Sequence, residues 1–167
     1  MENISNHIPD VWFDLYARFL PGAFAISFIG ISNFSSLDSV SPALLTTFLI
    51  GSYLVGHIIQ PIGSTLAKGI IGCIDCADKR EPKYQKLVFT SGFGREHKLV
   101  EKAYSEAVGF CSMSYISFIY FIYYQINSQT EAGVLSLAAS LILMLLGIIR
   151  CTSRASKIDK VLNLSRG

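Results

Sequence analysis

The chain has 167 residues, of which 51% are hydrophobic and only 16% are charged. Soluble domains carry about 25% charged residues, so this composition excludes an ordinary water-soluble domain and indicates a membrane protein. The four cysteines show no spacing typical of an extracellular disulfide framework, and we expect reduced thiols. The net charge of +2 says little, but the placement of the charges along the chain predicts a topology.

The N-terminal segment 9–18 is predicted to form a short interfacial helix. Trp12 and Arg18 are its interface anchors, since an indole ring suits the headgroup level and a cation is retained at the cytoplasmic surface. The nearest partner of Arg18 is Asp14, four residues earlier; the alternative is that Arg18 reaches inward to the level of Gln60 or to a lipid phosphate. The first span is predicted at 19–37, and Pro21, near its start, is expected to kink the helix and separate the two segments.

The second span is predicted at 42–60, within a run from 41 to 67 that has no Asp, Glu, Lys or Arg. Tyr53, His57, Gln60 and Ser64 are spaced so that they form one polar stripe on a helix. Such a stripe must face protein or water, which predicts a polar lock between helices or, alternatively, a gate or proton path. We expect Pro61 to interrupt the helix and a cytoplasmic segment to follow over 61–103.

Basic residues dominate this cytoplasmic segment and predict contact with anionic headgroups or with a cytoplasmic protein. The apolar and aromatic residues around Tyr84 also favour a contact over a solvated loop. Direct binding of nucleic acid is not expected. Cys73 and Cys76 resemble half of a zinc site with His97 as a third ligand, but four ligands are needed, so no metal is predicted. The candidate docking residues are Lys79, Arg80, Lys83, Lys86, Arg95 and Lys98.

The third span is predicted at 104–126 and the fourth at 133–149, followed by a basic tail over 150–167. We expect Glu106 to pair with Lys102, one turn earlier. Small residues recur on the fourth span and indicate a face on which helices approach closely, either within one bundle or between copies of the chain. The residues of this packing face are Ala132, Ser136, Ser140 and Gly147.

The distribution of cations predicts the topology. All 14 Lys and Arg residues lie in the N-terminal segment, the central segment from Lys68 to Lys102, or the C-terminal tail. Because cations are retained on the cytoplasmic side, four spans with both termini in the cytoplasm fit without conflict. The expected fold is therefore an all-α polytopic membrane protein with four transmembrane helices, a short interfacial helix and a helical cytoplasmic loop.

Two segments, Tyr16-Ala-Arg-Phe-Leu-Pro-Gly22 and Gly51-Ser-Tyr-Leu-Val-Gly-His57-Ile-Ile-Gln60, resemble those of small uncharacterised four-span proteins of the bacterial inner membrane. Such proteins resemble components of phage-defence gene clusters, in which a membrane subunit works with a cytoplasmic partner. The resemblance implies a multi-pass inner-membrane protein and transfers no catalytic residue.

The function expected from the sequence is that of a non-enzymatic membrane component. It would form oligomers, dock a cytoplasmic protein through its basic loop, or do both, as a sensor or effector subunit of a defence system. No catalytic motif is visible, so neither an enzyme nor a cofactor is predicted. The alternative is a small channel or membrane-permeabilising effector that uses the polar stripe. A third interpretation, from topology alone, is a bacteriocin immunity-type protein.

Overall fold

The architecture is described from a computed structural model, which covers residue 11 and residues 13–31, 41–75, 83–87 and 95–164. Every regular element in this part of the chain is a helix. A π-helical segment, Asp14–Phe19, leads into α1 (Leu20–Ile31), and α2 (Pro42–Asp75), α3 (Arg95–Ile126) and α4 (Thr130–Leu164) follow. A short helical segment over 83–87 lies between α2 and α3.

Three of these helices are long and apolar enough to cross a membrane, namely those that contain Pro42–Ile74, His97–Ile126 and Thr130–Asn163. The all-α membrane fold expected from composition is thus confirmed at this level. The predicted first span extends to residue 37, and residues 32–37 lie outside the described part of the chain. The number of four spans therefore stays a prediction.

The helices form a bundle in which α3 and α4 pack against each other along most of their length, with α1 on α2 and α2 on α3. Hydroxyl groups join α3 and α4 in their middle: Ser136 Oγ donates to Ser117 O at 2.7 Å, and Ser114 Oγ and Ser140 Oγ each donate to the other's carbonyl at 2.9 Å. Lipid provides no hydrophobic drive for helix association, so contacts of this kind and close packing hold such bundles together.

Polar and charged residues gather at one end of the bundle, where α2 and α4 end and α3 begins. Ser64 Oγ lies 3.0 Å from Tyr104 OH, and Cys151 Sγ lies 3.9 Å from Ala67 O, which brings these three helix ends together. We call this the basic end, since its side chains include Lys68, Lys98, Lys102, Arg150, Arg154, Lys157 and Lys160. The opposite end carries the α3–α4 turn, and no Lys or Arg occurs between 103 and 149.

The helices are less interrupted than the sequence predicted. The backbone stays helical from Phe13 through Leu20 into α1, so Pro21 does not separate an interfacial helix at 9–18 from a span that begins at 19. The π-helical turn explains this: it shifts hydrogen bonding by one residue, as in the bond from the Leu20 N–H to Leu15 O, and so accommodates a proline that has no N–H.

The predicted break at Pro61 is also wrong, because Pro61 lies inside α2, which continues to Asp75. Proline removes its own N–H bond, here to the carbonyl of His57, and membrane helices tolerate such a loss where neighbouring helices, side chains or water compensate for it. Thr65 Oγ1 also donates to Pro61 O at 2.9 Å. The fourth helix likewise continues through the predicted tail to Leu164. Segments 61–75 and 150–164 are therefore helical extensions of the bundle.

Candidate functional site

Among the described glycines, the tightest contacts lie where the π-helical segment and α1 cross α2. A Cβ added at Gly56 would lie 1.7 Å from Arg18 O, and a Cβ at Gly22 would lie 1.7 Å from Ser52 O. Both neighbours are backbone atoms, so neither can move aside alone. Ser52 and Gly56 form the small-x-x-x-small pattern that lets membrane helices approach closely. The two helices are antiparallel, because Arg18 lies opposite Gly56 whereas Gly22, further along the chain, lies opposite Ser52.

The same pattern of glycine contacts extends to α3, which completes a three-helix junction. A Cβ at Gly109 would lie 2.2 Å from Tyr16 O, and one at Gly63 would lie 1.9 Å from Ser112 Oγ. Ala17, which is fully buried, lies in the apolar core next to this junction. The junction thus fixes the N-terminal helix against two of the long helices without any large side chain between them.

A small charged cluster lies at the edge of this junction. Arg18 Nη1 forms an ion pair with Asp14 and lies 3.4 Å from Tyr53 OH, and its guanidinium lies over the Phe13 ring, 5.4 Å from the ring centre. The predicted pair with Asp14 is therefore present, and the contact of Arg18 with α2 is to Tyr53. The alternative reach to the level of Gln60 or to a lipid phosphate stays a prediction. Arg18 is a contact between helices in addition to its predicted role as an interface anchor.

The structure divides the predicted polar stripe into two parts. Tyr53 is 40% exposed and stacks on the exposed His57, with ring centres 6.4 Å apart, so these two side chains lie on the outside of the bundle. Ser64 instead faces α3 and bonds Tyr104, while Gln60 is half-buried between the two parts. Within one chain the stripe therefore does not line a continuous passage.

The predicted packing face of α4 is turned toward α3. Ser136 and Ser140 make the hydroxyl contacts described above, and Gly147 lies so close to α3 that an added Cβ would be 3.0 Å from Cys111 Sγ. Ala132, at the start of this row, is half-buried. The arrangement corresponds to the alternative of packing within one bundle.

An ion pair with one buried partner joins α3 and α4 at the basic end. Arg150 Nε lies 3.1 Å from Glu106 Oε2, and the Glu106 side chain is only 9% exposed. The sequence analysis expected the local partner Lys102 and missed Arg150, which is 44 residues away in the chain. A long-range contact of this kind leaves no periodic signal in the sequence.

The described part of the basic segment packs against the bundle. Tyr84 is 2% exposed and lies in a cluster with Val100 and Ile158, and its hydroxyl is hydrogen-bonded to His97 Nδ1. The aromatic residue that was expected to need an outside partner is thus covered by the chain itself. His97, considered above as a zinc ligand, stacks on the Tyr84 ring at 5.8 Å.

Of the other predicted docking residues, Lys83 and Lys86 are exposed and Lys98 is half-buried. Trp12, Lys79, Arg80, Cys76 and the side chain of Arg95 lie outside the described residues. No protein-family model matches the chain, and no curated protein or solved structure matches it either.

Proposed function

We propose that this chain is a non-enzymatic integral membrane component that assembles with further copies of itself through the outer face of α2, defined by Leu49, Tyr53, Leu54, His57 and Ile58. The observation that carries the proposal is the exposure of His57, beside Tyr53, on a helix whose most apolar stretch is only 11% buried within the chain. Lipid covers the apolar side chains of this face well, but it cannot satisfy an imidazole.

His57 lies deep in the apolar zone. Cys151 Sγ lies 3.9 Å from Ala67 O, so Ala67 is close to the level of Arg150 at the basic end. At a rise of about 1.5 Å per residue, His57 lies about 15 Å before Ala67 along α2, well inside the apolar zone. Pro61 also cannot donate to the carbonyl of His57, which adds an acceptor there.

A second copy would cover these groups with the same face. In a two-fold dimer every contact occurs twice. A polar contact that His57 of one copy makes across the interface is therefore repeated by His57 of the other copy. Hydrogen bonds between membrane helices contribute about 0.6 to 2 kcal/mol each. Dispersion contacts between the aliphatic side chains of the two faces would add to this and fix the register.

Disulfide crosslinking in native membranes tests the assembly. In a cysteine-free background, Ile58→Cys places a thiol on the proposed interface, where the side chain is 75% exposed. Ile142→Cys is the matched control, since Ile142 is 61% exposed on α4. We expect a crosslinked dimer for the first variant and not for the second, and we expect His57→Leu to lower the yield. Equal crosslinking at both positions, or monomers alone in membranes and mild detergent, would refute the proposal.

The alternative function, a channel, would also use the outer face of α2. Because Tyr53 and His57 point outward, a pore lined by them requires several copies around a shared axis. Ion flux from liposomes that His57→Leu abolishes without lowering the crosslinking yield would favour a channel. Absence of flux in liposomes that contain the crosslinked assembly would favour a structural or signalling component.

The basic end supports a second role in docking a cytoplasmic protein. Lys83 and Lys86 are exposed on the short segment 83–87, beside the ends of α2 and α4. We propose that this end and both termini lie in the cytoplasm, as the charge distribution predicts. The membrane proposed is a bacterial inner membrane, as the motif resemblance implies. Reporter fusions after Gly167 test the orientation. Co-purification of a soluble protein that Lys83→Gln with Lys86→Gln abolishes would support docking, and in phage-challenged cells the same variant tests a defence role.

A further inference from the structure

The basic end has an open cavity of about 460 Å³ that the proposed assembly does not use. It lies between the C-terminal part of α2, the start of α3, the C-terminal part of α4 and the segment 83–87. This volume falls in the range of about 300 to 1,000 Å³ typical of small-molecule sites. Its polar lining residues are Lys68, Gln85, Glu101, Tyr104 and Arg154, with Ile71 on its apolar wall.

Arg154 is the most constrained of these residues. It is only 6% exposed, and its guanidinium lies over the Tyr104 ring, 5.3 Å from the ring centre. Tyr104 is itself fixed, because its hydroxyl lies 3.0 Å from Ser64 Oγ. A planar guanidinium held on an aromatic ring keeps its orientation, and its N–H groups match the oxygens of phosphate and carboxylate.

The charges around the cavity favour an anion. Lys68 is exposed and supplies a second cation from α2, whereas Glu101 supplies the cavity's one carboxylate among the described lining residues. Glu106, the nearest buried carboxylate on α3, is paired with Arg150 and does not line the cavity. Two cations and one carboxylate leave a net positive charge, and field lines concentrate in such a concave, partly apolar site.

We propose that this cavity binds a phosphate group, with Arg154 as its fixed donor, Lys68 as the cation nearest the solvent and Gln85 as a neutral donor. The phosphate belongs either to a lipid headgroup or to a soluble molecule, since the basic end borders both the membrane and the aqueous phase. Cationic pockets between helices at this level are suited to anionic headgroups. The cavity is separate from the outer face of α2 and does not depend on assembly.

Calorimetry on the full chain in dodecyl maltoside distinguishes the two sources. One titration uses dioctanoyl phosphatidylglycerol and the other uses inorganic phosphate. We expect Lys68→Gln to weaken binding about fivefold, the effect of removing one charge near a surface. We expect Glu101→Gln to strengthen binding by a similar factor, because it removes repulsion. Lys160→Gln is the control, since Lys160 is exposed on α4 and does not line the cavity.

Lys68→Gln and Glu101→Gln are expected to change the binding affinity in opposite directions, which makes the test specific. Binding of the lipid and not of phosphate identifies a headgroup site, and the reverse result identifies a soluble ligand; both support the proposal. Absence of binding for both probes overturns it, as does binding that Lys68→Gln, Glu101→Gln and Lys160→Gln change alike. Arg154→Gln should abolish binding, but Arg154 is buried, so the exposed Lys68 and half-buried Glu101 carry the test if that variant fails to fold.

Discussion

Replacing Gly56 by alanine should weaken the α1–α2 crossing, because no space exists for the added methyl group. The new Cβ would lie 1.7 Å from Arg18 O and 2.5 Å from the carbonyl carbon of Arg18. A carbon and a carbonyl oxygen need about 3.3 Å, so the two backbones must separate locally by about 1.6 Å. Overpacking of this kind costs about 1–3 kcal/mol.

The same helix offers a matched control. A Cβ at Gly69 meets no atom within 4 Å, so Gly69→Ala adds the same methyl group to α2 without a collision. Alanine also stabilises a helix relative to glycine by about 0.5–1 kcal/mol. The two substitutions should therefore change stability in opposite directions, although they are chemically identical and only 13 positions apart.

The assay is thermal unfolding in detergent, followed by the monodisperse fraction that remains after heating. For a chain of this size, 1–3 kcal/mol corresponds to a fall in Tm of about 2–12 °C for Gly56→Ala, against no fall for Gly69→Ala. Gly22→Ala should give a loss similar to that of Gly56→Ala, and the double variant should lose less than the sum, because one separation accommodates both methyl groups. A Gly56→Ala protein as stable as the Gly69→Ala protein would refute the close approach.

Three further predictions concern the contacts between the other helices. Ser136→Ala removes the hydroxyl that bonds α3 and should cost about 0.6 kcal/mol in the same unfolding assay; an unchanged Tm would mean that the hydrogen bond is not formed in the folded protein. Arg150→Gln should destabilise more than Glu106→Gln, because it leaves the buried carboxylate unpaired whereas the arginine is 44% exposed, and the reverse order would contradict the burial. Tyr84→Ala should release the segment 83–87 and speed tryptic cleavage after Lys86, measured by mass spectrometry, and unchanged cleavage would argue against the docking of Tyr84.

Hydropathy predicted the helical, membrane-span-like fold because it acts locally. The second span was expected to begin at 42, and α2 begins at Pro42. The expected break at Pro61 was wrong for a physical reason, since one missing N–H removes a single hydrogen bond and a long membrane helix can tolerate that loss. Proline is therefore weaker evidence for a helix end in a membrane chain than in a soluble one.

The glycine junction was missed although the sequence carries a signal for it. Ser52 and Gly56 are small residues four positions apart, the same pattern that drew attention to Ser136 and Ser140 on the last helix. The polar stripe in the same segment indicates a role for His57 and says nothing about the small residues. No local pattern in the sequence predicts which surface packs against Gly56.

The cavity at the basic end could not have been predicted from spacing at all. Lys68 and Arg154 are 86 positions apart, and they line the same cavity only because α2 and α4 end together. In the sequence, the cations of this end predict topology and contact with headgroups or a protein, but no pattern distinguishes one cation from another. The structure separates them by burial, since Arg154 is fixed on an aromatic ring whereas Lys160 is exposed.

The two segments that carry the motif resemblance are the segments that cross each other. Tyr16–Gly22 supplies the backbone that Gly56 and Gly109 approach, and Gly51–Gln60 supplies Ser52 and Gly56 in return. Close helix crossing alone is therefore a sufficient physical reason for a Pro-Gly pair and a small-x-x-x-small pair in this order. Tyr53 takes part in the crossing, since its hydroxyl lies 3.4 Å from Arg18 Nη1. His57 has no such reason, because its side chain is exposed on the outer face of α2. If chains with these motifs share an activity, His57 is where a substitution should separate activity from stability.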